Sequence, residues 1–441
     1  MKRSSHFRTI AVLAVAALAV GACSSDKKTS TSATTAASAA KFIDTSLCKD
    51  YQPTAGISAD KTIKIGTVLP ETGNFSIYKP LADGLAMYVK YINGKGGIKA
   101  ADGNNYKLEL ARENDEYDPA KTLAKVQKLV SQDKIFAMVG QVGTETGLAS
   151  RDTLDQACVP SIAVATGSTE WGKTQQYRWL IAGLPSYATE AHTFMEYLKK
   201  NKPNATIAVL YQNDDFGKAY LDRIKKDVEG TQLKVADSQP YDPATEPTAE
   251  AKIVTLAKSK ADVLFFGIGG LPCPLGLKFI PADWKPMTYV SIVCSGGTAM
   301  KLAGAKAEGL YSTQATYDPS NPDTASKPQV KEYLDAGAAQ GISTSDLNGG
   351  IVSVGWGFGA LFAKAVETAK TVTRADVMDA VYHLKNSPFG LIRDDVHVNT
   401  NGVDDPWGIE DLAVIHREGT KWVDSAPVIS SEGKSNSLAG L

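Results

Sequence analysis

Residues 135–168 read IFAMVGQVGTETGLASRDTLDQACVPSIAVATGS, and the fold class follows from them. Two apolar runs, 135–142 and 159–165, each open into a short loop of Gly and Thr, with a helix-like segment at 147–156 between them. Runs of this length without polar alternation belong to strands covered on both faces, and a helical crossover between two of them implies parallel pairing. The loops GTETG and ATGS then leave the carboxyl ends of neighbouring strands, the edge at which open parallel sheets bind ligands. The first loop also starts a helix, whose free backbone N–H groups and positive dipole end attract an anion. Thr144 and Thr146 add hydroxyl donors. The stretch predicts a site that holds a small carboxylate-bearing molecule without transforming it.

The same alternation extends in both directions. Upstream, 62–70 reads as a strand, and Leu81, Leu85, Tyr88, Val89 and Ile92 give 80–93 a helical face that ends at the glycines of 94–97. A strand at 106–111 precedes a helix opened by Asp118-Pro119, with Leu123, Val126, Leu129 and Val130 on one side. Downstream, a strand at 178–181 closes the first series. A second series follows Gly183: helices at 189–200, 217–229, 249–259 and near 275–280, with strands at 206–212, 233–236, 263–268 and 288–293. Repeated strand–helix units predict an α/β protein of two doubly wound parallel-sheet lobes. Residues 318–328 form a turn-rich break, and 349–369 reads as a long apolar helix. Inside it, Gly355-Trp356-Gly357-Phe358-Gly359 reads as close helix packing, since no strand precedes it and dinucleotide spacing is absent.

Over 441 residues, Lys+Arg number 47 and Asp+Glu 48, a balance that argues against nucleic acid as a partner. The amino terminus has a basic start (Lys2, Arg3, Arg8), an apolar run at 10–20 and the sequence Val20-Gly21-Ala22-Cys23. This is a signal peptide over 1–22 with a lipobox-like end, which makes Cys23 an acylated residue and the membrane a partner through that anchor. The apolar run is too short to span a bilayer. Residues 24–40, rich in Ser, Thr and Ala, read as a solvated tether. Cys48, Cys158, Cys273 and Cys294 form an even set in an exported chain, open to three connectivities. Cys48–Cys158 with Cys273–Cys294 is favoured, because Cys273 and Cys294 follow consecutive strands. Metal binding is disfavoured by the lack of CxxC spacing or a nearby histidine.

From residue 63 to about 423 the chain resembles the branched-chain amino acid-binding proteins of ABC importers, a group of type I periplasmic binding proteins. The resemblance is carried by IGTVLPETGNF (65–75), YINGKGGI (91–98), ENDEYDPAKTLAKVQKLV (113–130), FAMVGQVGTETG (136–147), VPSIAVATGST (159–169) and IAVLYQNDDFGKAYLDRIK (207–225). It implies two lobes, 61–183 with 316–388 and 184–315 with 389–435, joined by three crossings near 183–184, 315–317 and 389–393. Residues 23–60 are then the lipidated cysteine and tether, and 436–441 a tail. It also implies an extracytoplasmic, lipid-anchored monomer that delivers its solute to a membrane permease and uses no cofactor or metal. Carried over by position, Tyr78 packs on the ligand, Thr144 meets its carboxylate, and Ala165 and Gly167 stand where a carbonyl and a threonine serve amine and carboxylate. With glycine at 167, Thr166 or Ser168 has to supply the missing hydroxyl, and Phe216 closes the site from the second lobe.

Two departures bear on the ligand. Amino acid-binding members place an acid near position 293, where this chain has Ile292-Val293-Cys294-Ser295, and an aromatic residue where it has Gly269-Gly270-Leu271. A buried ammonium without an anion is costly. Either Glu145 or Asp215 substitutes, or the ligand lacks an α-amino group. Alongside ligand contact, Thr144 and Thr146 read as helix caps, Glu145 as a dipole-stabilised carboxylate and Asp214-Asp215 as a turn and cap. The rival classes are a ligand sensor with the same pocket and an enzyme. The enzyme is disfavoured because the histidines are scattered and no HExxH, GxSxG or phosphate loop occurs.

Overall fold

The computed structural model describes residues 42–441, organised by two sheets. The signal peptide, Cys23 and the tether at 24–40 lie outside the described residues. Strands β1 (Thr62–Leu69), β2 (Ile98–Lys99), β3 (Asn105–Asn114), β4 (Ala137–Val139), β5 (Ser161–Val164) and β6 (Leu180–Ala182) form the first sheet, ordered β2-β3-β1-β4-β5-β6. All neighbours run parallel except β2 and β3. The second sheet contains β7 (Thr206–Gln212), β8 (Lys234–Tyr241), β9 (Val263–Gly267), β10 (Met287–Val290), β11 (Tyr311–Gln314), β12 (Asp411–Glu418) and β13 (Lys421–Asp424). Its order is β13-β12-β11-β10-β9-β7-β8, with β14 (Ile429–Ser430) on β12. Strands β8 to β11 are parallel, whereas β12 and β13 turn back antiparallel. Two α/β lobes with parallel sheets are the fold class expected.

Burial on both faces explains the unbroken apolar runs. In β1, Ile63, Ile65 and Leu69 join the cluster under helix Pro80–Gly94, while Val68 packs with Val126 and Leu129 on the other side. The glycines of GWGFG do what close packing requires. A Cβ on Gly355 would run into the Leu81 carbonyl, and one on Gly84 into that of Val352, so helices Pro80–Gly94 and Ile351–Thr368 cross nearly backbone to backbone. The chain passes between lobes after β6, after β11 and before β12. The last two passages lie side by side: Tyr317 N donates to Leu391 O (2.8 Å) and Arg393 N to Ala315 O (3.1 Å).

Three expectations need correction. The strand expected at 135–142 is only Ala137–Val139, because Gly140 and Gly143 take positive φ (+69° and +111°) and bend the chain into the site loop. Residues 42–60, assigned to the flexible tether, are docked on the first lobe. Phe42 meets Tyr382 edge-on, the Tyr51 hydroxyl accepts from Ala375 N (3.1 Å), and the Cys48–Cys158 disulfide clips the segment down. Burial of Ile43 with these contacts offsets the entropy of ordering. Residues 436–441, assigned as a tail, are likewise docked. Helix Ser435–Ala439 is seated by Trp407 Nε1 donating to Asn436 Oδ1 (2.8 Å) and by the Glu410 carboxylate accepting from Gly433 N (2.7 Å) and Ser435 N (2.8 Å). Both favoured disulfides, Cys48–Cys158 and Cys273–Cys294, are present. No helix among the described residues is long and apolar enough to cross a membrane.

Candidate functional site

A cleft of about 160 Å³ lies between the lobes, at the carboxyl ends of both sheets. Its first wall is made by the loops after β1, β3, β4 and β5. A parallel bridge between Val142 and Ala165 carries the β4–β5 pairing into these loops and sets Thr144 beside Thr166. The two hydroxyls are 2.7 Å apart and buried, at the start of helix Thr144–Gln156. The first N–H groups of that helix have no acceptor within it. Phe75 stacks on Tyr117 at 3.8 Å, and Tyr78 lines the cleft beside them. From the second lobe come Tyr187, Gln212, Phe216, Gly269, Ile292, Val293 and Ser295, and the far end is bounded by Tyr317, Ile351, Phe389 and Trp422.

The two lobes also touch directly. Leu271 N donates to Asn74 O (2.8 Å), and the Tyr78 hydroxyl accepts from Gly270 N (2.8 Å) and donates to Val293 O (3.3 Å). Asp215 N donates to Glu145 Oε1 (3.2 Å). The described conformation is therefore a closed one.

Of the expected site residues, Tyr78, Thr144, Ala165 and Phe216 line the cleft. Thr166 lies behind Thr144 and acts through their hydrogen bond. Ser168 is turned away, capping the turn Thr169–Gly172 by accepting from Glu170 N (3.4 Å). Gly167 presents backbone only: its carbonyl accepts from Tyr187 N (2.7 Å). Thr146 donates to Val142 O (2.6 Å), holding the loop beneath the site. Glu145 is not brought into the cleft. It spans to the other lobe's helix Asp215–Val228, where a carboxylate meets the positive end of the helix. Asp214 is the cap of that helix, accepting from Gly217 N (3.1 Å).

Tyr117 and Tyr187 are the functional candidates that sequence reasoning missed. Glu116 and Tyr117 hold positive φ (+56° and +63°), a costly conformation for side-chain-bearing residues that swings Tyr117 into the cleft. Buried Asp115 fixes the turn, accepting from Tyr117 N (2.9 Å) and Thr122 Oγ1 (2.8 Å). The Tyr117 phenol lies near the Thr144 backbone, and that of Tyr187 near Thr166 and Gly167. Burial raises the pKa of both phenols, and it pushes Tyr78 up to about 12 against the hydrogen bond from Gly270. All three stay protonated near neutrality and can serve as O–H donors. The position of Tyr117 at the end of β3, beside β1, was the available signal.

The second wall rests on a buried carboxylate. Glu190, in helix Tyr187–Asn201, accepts from the Tyr220 hydroxyl (2.6 Å), the Tyr289 hydroxyl (2.7 Å) and Ile292 N (2.7 Å). Burial pushes its pKa up to about 7 against those hydrogen bonds.

A family model described as periplasmic binding protein matches residues 62–401. The chain belongs to the periplasmic binding protein family. Its curated relatives include an amino acid binding protein of Pseudomonas aeruginosa, 26% identical over 46% of this chain and 53% of that protein. The chain thus matches about half the length of that relative. A second, the leucine-, isoleucine-, valine-, threonine- and alanine-binding protein of the same organism, is 25% identical over 73% of this chain and 83% of its own length. Among solved structures, a fatty acid ABC transporter substrate-binding protein from Thermomonospora curvata superposes with a TM-score of 0.73. It is 19% identical over 88% of this chain and 96% of that one, a likeness of fold alone. The family resemblance drawn from the sequence holds at the level of the periplasmic binding protein family.

Proposed function

We propose that this binding protein is a lipoprotein, anchored through Cys23, that captures a small carboxylate-bearing solute between its lobes and delivers it to an importer permease. The observation that carries this reading is the closed interlobe cleft, whose first wall sets the Thr144 hydroxyl at a helix amino terminus. A carboxylate held there accepts from hydroxyls and backbone N–H groups and meets the positive end of the helix dipole. No lysine, arginine or histidine lines the cleft among the described residues, so helix and hydroxyls supply the attraction. The amino acids and the fatty acid in the relatives' names share one chemical group, the carboxylate. Binding to the first wall comes first, and the second lobe then closes, the ligand stabilising the form in which it touches both sides.

The test is tryptophan fluorescence, since Trp422 lines the cleft. Titration of the purified protein with C4–C8 carboxylates should give a saturable change that Thr144→Val weakens by about tenfold, the value of one hydrogen bond to a charged group. A response indifferent to Thr144→Val would retire the site. A Cys23→Ala variant should leave the membrane fraction, and its retention there would retire the anchor.

A further inference from the structure

Resting on that reading of the cleft, we infer that the solute is a monocarboxylate with an aliphatic or aromatic body and no α-amino group. Three observations carry the assignment. First, among the described residues lining the cleft only Asp318 bears a carboxylate, and both its oxygens are engaged. One accepts from Ser320 N (2.9 Å) and Ser320 Oγ (2.7 Å). The other accepts from Trp422 N (3.3 Å) and faces the Arg417 guanidinium at 3.8 Å. Second, neither Glu145 nor Asp215, the two acids able to substitute at the rim, is among the lining residues, and the Glu145 carboxylate accepts from Asp215 N (3.2 Å) instead. Third, three backbone carbonyls of lining residues already accept from the protein. Ala165 O takes Gly143 N (3.3 Å), Val293 O takes the Tyr78 hydroxyl (3.3 Å) and Ser295 O takes Trp422 Nε1 (2.9 Å).

An ammonium enclosed here would lose its water and gain no anion, whereas the carboxylate end is furnished with donors. Leu81, Phe216, Ile292, Val293, Val354 and Phe389 give the body of the ligand a hydrocarbon and aromatic lining. Apolar residues predominate in the lining, beside the polar side chains of Gln212, Ser295, Gln314, Thr316 and Ser353. Its chemistry separates two solutes of the same shape by the presence of one amine.

Isothermal titration of the full-length protein with matched pairs tests this: 4-methylpentanoate against leucine, and 3-phenylpropanoate against phenylalanine. The acid of each pair should bind on the order of 100-fold more tightly than its α-amino counterpart, the scale set by a buried, unpaired charge. Val293→Glu, which places an acid on the second wall, should move the preference toward the amino acid. Leucine or phenylalanine binding as tightly as its des-amino partner overturns the assignment while leaving the carboxylate site standing. Binding of neither series at millimolar concentration overturns the carboxylate site, and the assignment with it. A Val293→Glu variant with an unchanged preference overturns the role given to the missing acid.

Discussion

The two walls of the cleft are built on opposite principles. The first is polar at its surface and apolar beneath: Thr144, Thr166 and the Tyr117 phenol converge over β4 and β5, every residue of which is buried. The second sets main chain and apolar side chains beside Tyr187, Gln212 and Ser295 at its surface and keeps an ionisable group beneath. Gly269, Ile292 and Val293 face the ligand space, while Glu190 and the Cys273–Cys294 disulfide hold the loops from behind. The first wall supplies recognition, and it must be complete before the ligand arrives. The second supplies closure, and it must be stiff yet poor in competing hydrogen bonds. A binding protein separates the two tasks because a lid rich in free donors and acceptors would close on itself.

The stiffness of the second wall is open to the largest perturbations. A Cys273→Ser/Cys294→Ser variant loses a crosslink between residues 21 apart, which should lower stability by about 3 kcal/mol. Denaturant unfolding reads this directly, and the reduced wild type, which also loses Cys48–Cys158, is expected to lose more. Glu190 gives an effect of similar size that appears only as pH changes. Its folded pKa of about 7 lies above the ordinary value of 4.5, so the folded protein binds the proton more tightly than the unfolded chain. The contribution is therefore full below pH 4.5 and is lost as pH rises to 7, a swing of roughly 3 kcal/mol. Glu410, also raised to about 7 by burial, titrates in the same window with the same sign. The Glu190 share is the part of the slope that disappears in Glu190→Gln, and an unchanged slope would show that Glu190 does not titrate there.

Closure itself turns on Gly270. At φ +65° it carries no side chain, and a Cβ would stand 2.7 Å from Asn74 O and 2.9 Å from the Phe75 ring, both on the opposite lobe. Gly270→Ala should obstruct only the closed form, weakening ligand binding by about 30-fold, or 2 kcal/mol. The unliganded protein should lose no more than the left-handed backbone penalty of about 1 kcal/mol. Equal losses in the two measurements would mean that the contact belongs to the fold and not to closure.

Much of the first wall was legible in the chain because strand ends and helix starts announce themselves locally. The apolar runs of β4 and β5, the threonines after them and the glycine-rich helix crossing were all readable from spacing. Residues whose role depends on the opposite lobe were not. Glu145 reads as a carboxylate near its own helix start, and only the closed arrangement shows it serving Asp215 N. Tyr117 was hidden because two consecutive left-handed residues, neither of them glycine, turn its side chain inward, and no propensity rule anticipates that. Strands β11 to β13 escaped for a related reason. Short or mixed in polarity, they are strands chiefly because β10 offers an edge to extend.

The smallest expected effect falls on a side chain that belongs to both walls. Tyr78 stands on the first lobe, yet its hydroxyl accepts from Gly270 N and donates to Val293 O on the second. Tyr78→Phe keeps the ring and its packing, so the first wall retains its shape. What disappears is a pair of hydrogen bonds made only when the lobes meet, leaving Gly270 N–H without its acceptor in the closed state. A net value near 1 kcal/mol predicts a dissociation rate about fivefold faster, with the association rate and the unliganded stability unchanged. Stopped-flow fluorescence separates these quantities. A slower association instead would place Tyr78 in the first encounter with the ligand, and the division of labour between the walls would have to be redrawn around it.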